Sequence, residues 1–333
     1  MPATRILAKM SQPRLIAFCL VAAFFAWPAA AADKLRLAVQ KTGSVSWELD
    51  IIKAQGLDRA NDLELEITEL ASPEAGKIAL RGGAADIVVS DWLWVSRERS
   101  LGADLVFAPY SSAIGAVMVP GSSSIAALAD LRGKKIAVAG GAIDKSWLML
   151  QALARRSGLD LRKDASPMFG APPLLQEKTL QGEADAALNF WNFCADLEAR
   201  GFKPLIAMDE VEKALGAKGP VAMLGYVFDA GFAAKNAGAI DRFLKIAREA
   251  KEVLANSPAE WTKLGPRLGA KDDKALAIYR RRYGEGIPRR PLADEEADAK
   301  TLYRVLAEIG GADLVGLARD LDPGTFYHGG PGK

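Results

Sequence analysis

Carboxylates, hydroxyls and tryptophans recur in this sequence just after short apolar runs, where a chain turns from strand to helix. Thr42, Ser44, Trp47 and Glu48 follow Lys34–Gln40, and Ser90, Asp91 and Trp92 close Ala85–Ser90. Tyr110 and Ser112 end Leu105–Tyr110; Gly141, Asp144, Lys145 and Ser146 follow Lys135–Ala139; Asn189 and Trp191 end Ala184–Asn189. Hydroxyls and the free N–H groups of helix starts hold small anions. Carboxylates hold amines or cations, and tryptophan faces hold apolar or cationic bodies. These chemistries conflict. An unpaired, desolvated carboxylate beside a bound anion is unfavourable by several kcal/mol, whereas a helix start favours the anion by only about 0.3–2 kcal/mol. The acids therefore cap helices, pair with Lys41 and Lys145, or meet a positively charged ligand; a zwitterion or an amine would fit them.

Catalytic constellations are poorly represented. The single histidine, His328, lies in a glycine-rich tail, which removes the commonest general base and most metal ligands. Gly43-Ser-Val-Ser-Trp47 fails the G-x-S-x-G elbow at its last position, and Val45 stands where the serine belongs. A phosphate-binding loop needs glycines six residues before its lysine and immediately before it; Ala139 and Asp144 stand there. Cys194 reads as a buried helical thiol. The carboxylates are not at loop-ligand spacing for a metal. No catalytic residue, no metal and no cofactor is expected.

The elements that must position these residues alternate. Lys34–Gln40 and Leu63–Leu70 alternate polar and apolar residues as strands do, and Ala85–Ser90, Leu105–Tyr110, Lys135–Ala139, Ala184–Asn189, Lys203–Met208 and Val221–Phe228 read as further strands. Helices are expected at Glu48–Gln55, from Ser72 to Gly82, from Asp91, from Lys145 to Gly158, from Pro172 to Gly182 and from Phe190 to Gly201. From Gly231 the pattern is helical, with candidates at Ala239–Ala255, Pro258–Leu264, Asp272–Tyr283, Asp294–Ile309 and Leu314–Asp320, then a loose tail from Asp322. Short turns between alternating strands and helices argue for mostly parallel sheet covered on both faces. No internal repeat is visible.

The first residues stand apart. Arg5, Lys9 and Arg14 precede the apolar run Leu15–Trp27, and Ala29–Ala32 offers an A-x-A cleavage pattern. The run is short for a membrane span of about 20 residues, so residues 1–32 read as a signal peptide cut near Ala32, and the mature protein as exported. Cleavage removes three of the 43 basic residues, against 41 acidic ones. The near-neutral balance gives no electrostatic case for nucleic acid or an anionic membrane. Cys19 goes with the leader, and Cys194 alone cannot form an internal disulfide. Roughly 300 residues remain, enough for two lobes.

The order of pieces resembles a family. Gly83-Ala-Ala-Asp86-Ile, the run Leu128–Val138 and Leu180-Gln-Gly-Glu-Ala-Asp-Ala-Ala187 are similar to periplasmic solute-binding proteins of ABC importers, in the branch serving nitrate, taurine, alkanesulfonates and thiamine precursors. The resemblance covers residues 34–230 well and the helical remainder weakly. It implies the α/β, two-lobed periplasmic binding protein fold (type II), with two crossing strands and the ligand in the cleft. The crossings should fall near Ala113–Val119 and Val221–Phe228, so that residues 33–115 and 226–333 form lobe one and residues 116–225 lobe two. The implied function is capture of a small organic molecule by a monomer and its delivery to an inner-membrane ABC permease in the periplasm, without catalysis. The alternatives are an exported ligand sensor or accessory binding protein, or an enzyme related to thiamine-pyrimidine synthases. The cleft loops would contribute Thr42, Ser44, Trp47, Ser90, Asp91, Trp92, Tyr110, Ser112, Gly141, Asp144, Lys145, Ser146, Asn189 and Trp191. Trp94 and Trp147 are expected to pack into helix faces instead.

Overall fold

The computed structural model describes residues 32–41 and 43–330; the expected leader and Thr42 lie outside the described residues. Two five-stranded sheets are built in succession. The first half runs β1 (Asp33–Gln40), α1 (Val45–Gln55), α2 (Leu57–Ala60), β2 (Leu63–Leu70), α3 (Pro73–Arg81), β3 (Ile87–Asp91), α4 (Trp92–Ser100) and β4 (Leu105–Ser111). The chain then enters β5 (Ala116–Pro120) and continues through β6 (Lys135–Ala139), α5 (Lys145–Arg156), α6 (Leu161–Asp164), β7 (Ser166–Gly170), α7 (Pro172–Leu180), β8 (Ala186–Asn189), α8 (Trp191–Ala199), β9 (Phe202–Ala207) and α9 (Met208–Leu215). It returns in β10 (Leu224–Asp229) and ends in α10 (Ala230–Lys235), α11 (Ala237–Asn256), α12 (Pro258–Leu268), α13 (Asp273–Glu285) and α14 (Leu292–Val315).

The strand orders are β2-β1-β3-β10-β4 and β7-β6-β8-β5-β9. They correspond position by position, a topological repeat that leaves no repeat in the sequence because burial constrains residue class rather than identity. Both sheets are mixed rather than nearly parallel. β1 is parallel to β2 and β3, and β6 to β7 and β8, whereas β10 and β5 run antiparallel to both their neighbours. Each reversed strand is the one that arrives from the other sheet. The four remaining strands of each sheet point their carboxyl ends the same way, where ligands sit in open α/β sheets.

The first crossing passes Gly115, whose φ is 122°. A Cβ there would collide with the Asn189 carbonyl, so only glycine lets the chain cross beside β8. The return crossing hangs on buried carboxylates. Asp298 accepts the N–H groups of Lys218 (2.9 Å) and Gly219 (3.2 Å), Glu212 that of Val221 (3.2 Å), and Glu295 that of Ala222 (3.0 Å).

Three expectations change. Ser166–Gly170 is a strand although its Pro167 and terminal glycine do not read as one; it is an edge, where a missing N–H is tolerated. No helix spans Leu314–Asp320: a kink at Gly311 (φ 61°) interrupts α14, and the helical residues beyond it end at Val315. The tail is docked rather than loose. Phe107 donates its N–H to the Thr325 carbonyl and accepts that of Tyr327, both at 2.8 Å, and the Phe326 ring packs edge-on to Phe107 at 5.3 Å. α14 packs against α4, which flanks the first sheet, and against α5 and α9, which flank the second. One hydrophobic core therefore runs through both halves, from Trp92 and Tyr303 to Trp147 and Leu148.

Candidate functional site

A cavity of about 940 Å³ opens at the carboxyl ends of the strands of both sheets. Its walls are mostly apolar, with charged groups where the sheets meet. Ser44, Ser90, Asp91, Tyr110, Gly141, Asp144, Lys145, Ser146 and Trp191 all line it, as the loop positions suggested.

Local sequence aims the two acids. Asp91 ends β3 and caps α4, its Oδ1 accepting the Trp94 N–H at 2.8 Å. Asp144 caps α5, its Oδ1 accepting the N–H groups of Ser146 (2.9 Å) and Trp147 (3.3 Å). Aspartate is favoured there because its carboxylate satisfies N–H groups that have no partner inside the helix. Each cap uses one oxygen. The second oxygen of Asp91 faces Lys145 Nζ, 3.5 Å away, across the junction between the sheets. The second oxygen of Asp144 has no hydrogen-bond donor among the described residues. The corresponding helices of the repeat, α1 and α8, start at the cavity without a side-chain cap.

Electrostatics follow the geometry. Burial pushes the Asp91 carboxyl up, but Lys145, Lys77 and the Trp94 N–H outweigh it and hold the group below the usual carboxylate range. Burial pushes Asp144 up as well; there Lys145 and the cap bonds offset only part, Asp91 adds repulsion, and the net shift is upward. Burial disfavours charged Lys145, yet the two aspartates more than compensate and raise it.

Tyr110 forms part of the floor. Its hydroxyl pairs with that of Ser44 at 3.1 Å, and Lys251 Nζ lies 3.7 Å from its ring centroid on the side of the core. Lys251 is itself paired with buried Glu48 at 2.5 Å, so Glu48 supports the floor rather than facing the ligand space. Burial and the Glu48 charge push the phenols of Tyr110, Tyr226 and Tyr283 up, keeping them neutral donors.

Several expected residues lie outside the cavity wall. Trp92 is fully buried against Tyr303, because α14 packs over this face of α4. Trp47 is buried edge-on to Trp191 (5.6 Å) and Trp261 (5.8 Å), so it backs Trp191 instead of meeting a ligand. The Ser112 hydroxyl donates to the Gly286 carbonyl at 3.3 Å, tying the first crossing to the turn after α13. Asn189 is buried, donating to the Pro172 carbonyl (3.2 Å) and accepting the Phe190 N–H (2.8 Å). Trp147 is core, as expected. Trp94 is not simply core: it lines the cavity with Lys77 at 5.3 Å and Arg81 at 5.8 Å from its ring.

Other wall residues went unread. Glu74 and Lys77 belong to the start of α3, which the same strand-end logic applied to β2 would have included. Arg97 is one turn beyond Trp94 on α4, and its Nε is buried without a partner. Asp313 and Leu314 reach the wall from beyond the kink of α14, for which no local signal exists.

The family described as NMT1/THI5 like matches residues 53–261. The chain belongs to this NMT1/THI5-like family. No curated protein matches it in sequence. Among solved structures it is similar to the alkanesulfonate-binding protein of Xanthomonas axonopodis pv. citri, bound to MOPS (20% identity, 90% of this chain and 99% of that one, TM-score 0.65). It is also similar to the periplasmic aliphatic sulphonate-binding protein of Escherichia coli (20% identity, 87% and 97%, TM-score 0.66). A more distant likeness is to the ligand-binding component of an ABC-type import system from Staphylococcus aureus, with zinc bound (9% identity, 83% and 91%, TM-score 0.60). These likenesses establish the two-lobed periplasmic binding protein fold for this NMT1/THI5-like chain. Among its described residues no group of three or more His, Cys, Asp or Glu side chains is placed to hold a metal ion, and no helix is long and apolar enough to cross a membrane.

Proposed function

We propose that this NMT1/THI5-like protein is an exported, periplasmic solute-binding protein that closes two lobes on a small organic molecule and presents it, as a monomer, to an ABC permease. The observation that carries the reading is the cavity at the strand ends of both sheets, spanned by Asp91 from one and Lys145 from the other. A ligand touching both sides favours the closed arrangement by its differential affinity. Residues 33–115 with 226–333 would move against residues 116–225 about the two crossings, with α14 lying along both. The volume suits a molecule with an apolar or aromatic body rather than a small inorganic ion.

Binding without turnover is the second half of the reading. Cys194, the one cysteine among the described residues, is buried; it donates to the Asn189 carbonyl at 3.1 Å, and burial pushes its thiol up to about 12. It is poorly disposed to act as a nucleophile. His328 pairs with Glu296 at 2.9 Å and does not line the cavity.

Thermal stabilisation of the mature protein tests this against taurine, an alkanesulfonate, nitrate, a thiamine pyrimidine and simple amines. A solute at a hundred times its dissociation constant adds about 2.7 kcal/mol, a shift of a few degrees. Trp191→Ala should weaken the binding of whichever solute stabilises, with the circular dichroism spectrum retained. No stabilisation by any class, or chemical conversion of a bound solute, would refute the assignment.

A further inference from the structure

The sign of charge selected at the sheet junction can be read from how the two helix starts there are used. α4 and α5 begin at the cavity on opposite sides of the sheet junction, where backbone N–H groups would ordinarily hold an anion. The starts of α1 and α8 carry no side-chain cap, but those of α4 and α5, at the junction, are occupied: Asp91 accepts from Trp94, and Asp144 from Ser146 and Trp147. An oxyanion arriving there meets carboxylates in place of donors.

The cations near the junction do not reverse this. Lys145 Nζ stands 3.5 Å from Asp91 Oδ2, well beyond the roughly 2.7–2.9 Å of a charge-assisted bond, and its charge serves two acids. The other wall cations are Lys77, which also acts on Asp91 but is shared with Glu74, and Arg97. Lys77 lies 3.9 Å from Glu74 and over the Trp94 ring. Arg97, which lines the wall with its Nε buried and unpartnered, is six residues beyond Asp91, about 9 Å further along the helix axis, and its side chain lies against Gly316. With both aspartates ionised, the group Asp91, Lys145 and Asp144 carries an excess negative charge. An ammonium would neutralise it, and an oxyanion would double it.

We propose that the cleft takes solutes bearing a cationic amine, held between Asp91 and Asp144 with one carboxylate from each side of the cleft, and that Lys145 is the counter-charge standing in when the cleft is empty. The inference rests on the solute-binding reading above. It assigns Asp91 and Asp144 as specificity determinants and places the apolar body of the solute against the Trp94 and Trp191 walls.

Three probes of one body and different charge test it: 2-phenylethylamine, 2-phenylethanol and 2-phenylethanesulfonate, titrated calorimetrically into the mature protein and into Asp91→Asn, Asp144→Asn and Lys145→Met. Asparagine remains a good helix cap, so these aspartate variants should keep the fold. The amine should bind about tenfold or more tighter than the alcohol, and the sulfonate weakest. Each aspartate variant should weaken the amine about tenfold to a hundredfold while leaving the alcohol within a few fold, the range for losing a hydrogen bond to a charged group. Lys145→Met should tighten the amine. Sulfonate binding as tight as the amine's, or amine binding indifferent to both aspartates, overturns the charge assignment and leaves the solute-binding function standing. If no probe binds, nor any oxyanion or pyrimidine of the wider panel, the solute-binding function falls and this inference with it.

Discussion

Replacing Lys251 by methionine removes one member of a charge pair that the fold buries almost completely. Glu48 is 1% exposed and Lys251 5% exposed. Glu48 accepts from Lys251 Nζ at 2.5 Å, from the Tyr283 hydroxyl at 2.5 Å and from the Tyr226 hydroxyl at 3.2 Å. In the variant the carboxylate keeps two phenol donors but loses its counter-charge. Breaking a buried pair from one side costs about 3–5 kcal/mol, and the remaining donors favour the lower end, near 3 kcal/mol. Glu48→Gln strands the ammonium instead, with the Tyr110 ring at 3.7 Å and the Tyr226 ring at 5.8 Å, and should cost about 4 kcal/mol. For roughly 300 residues the unfolding entropy is about 0.6 kcal/mol per degree, so the midpoints fall by about 5–7 °C. The double variant Glu48→Gln, Lys251→Met removes both charges and should recover to within about 2 kcal/mol of the parent. Thermal and urea unfolding of the four proteins measure this. A single variant costing under about 1 kcal/mol, or a double variant no better than either single, would show that the pair is not desolvated. Because Lys251 supports the Tyr110 ring, Lys251→Met should also loosen ligand binding by a few fold.

Two other perturbations probe the crossing and the tail. Burial, reinforced by Asp209 and Glu295, pushes the Glu212 carboxyl up to about 8 from an ordinary 4.5. Its folded value exceeds its unfolded one, so the native state holds the proton longer, and stability falls as pH rises from about 4.5 to about 8, by up to about 4 kcal/mol. Glu212→Gln can keep the bond from Val221 and should unfold at a higher temperature than the parent at pH 8 but not at pH 4.5; a gap between the two that is constant with pH would refute the assignment. Phe326→Ala should lower stability by about 3 kcal/mol in urea, since the ring is buried edge-on to Phe107; a cost below about 0.5 kcal/mol would show the tail undocked.

Much of the frame was legible because its signals are local. β2 alternates as a half-buried strand, β1 alternates in residue type although Leu37–Val39 are buried on both faces, and Gly56 closes α1 with φ 67°. Asp144 could be placed before α5 as a cap because capping joins residues two or three apart. What escaped reading depends on distant partners. Ser166-Pro167-Met-Phe-Gly170 becomes a strand only because β6 lies beside it. Trp47 and Trp92 stand beside loops like Trp191 does, yet Trp261 and Tyr303, far along the chain, cover the first two. Asp313 reaches the cavity only because glycine at 311 permits a left-handed turn and α14 lies across both halves.

The sequence by itself determined the alternation of strand and helix, the turns at which polar groups gather, and the acid placed at the start of α4 and of α5. These follow from side-chain periodicity and from hydrogen bonds spanning a few residues. Only the tertiary structure decided that Asp91 and Lys145 face one another, that Glu48 and Lys251 are buried together, and that the reversed strands are β5 and β10. Those outcomes depend on which surfaces the two crossings bring into contact, and desolvation, which sets the energy of every charge involved, has no value until the chain has closed around it.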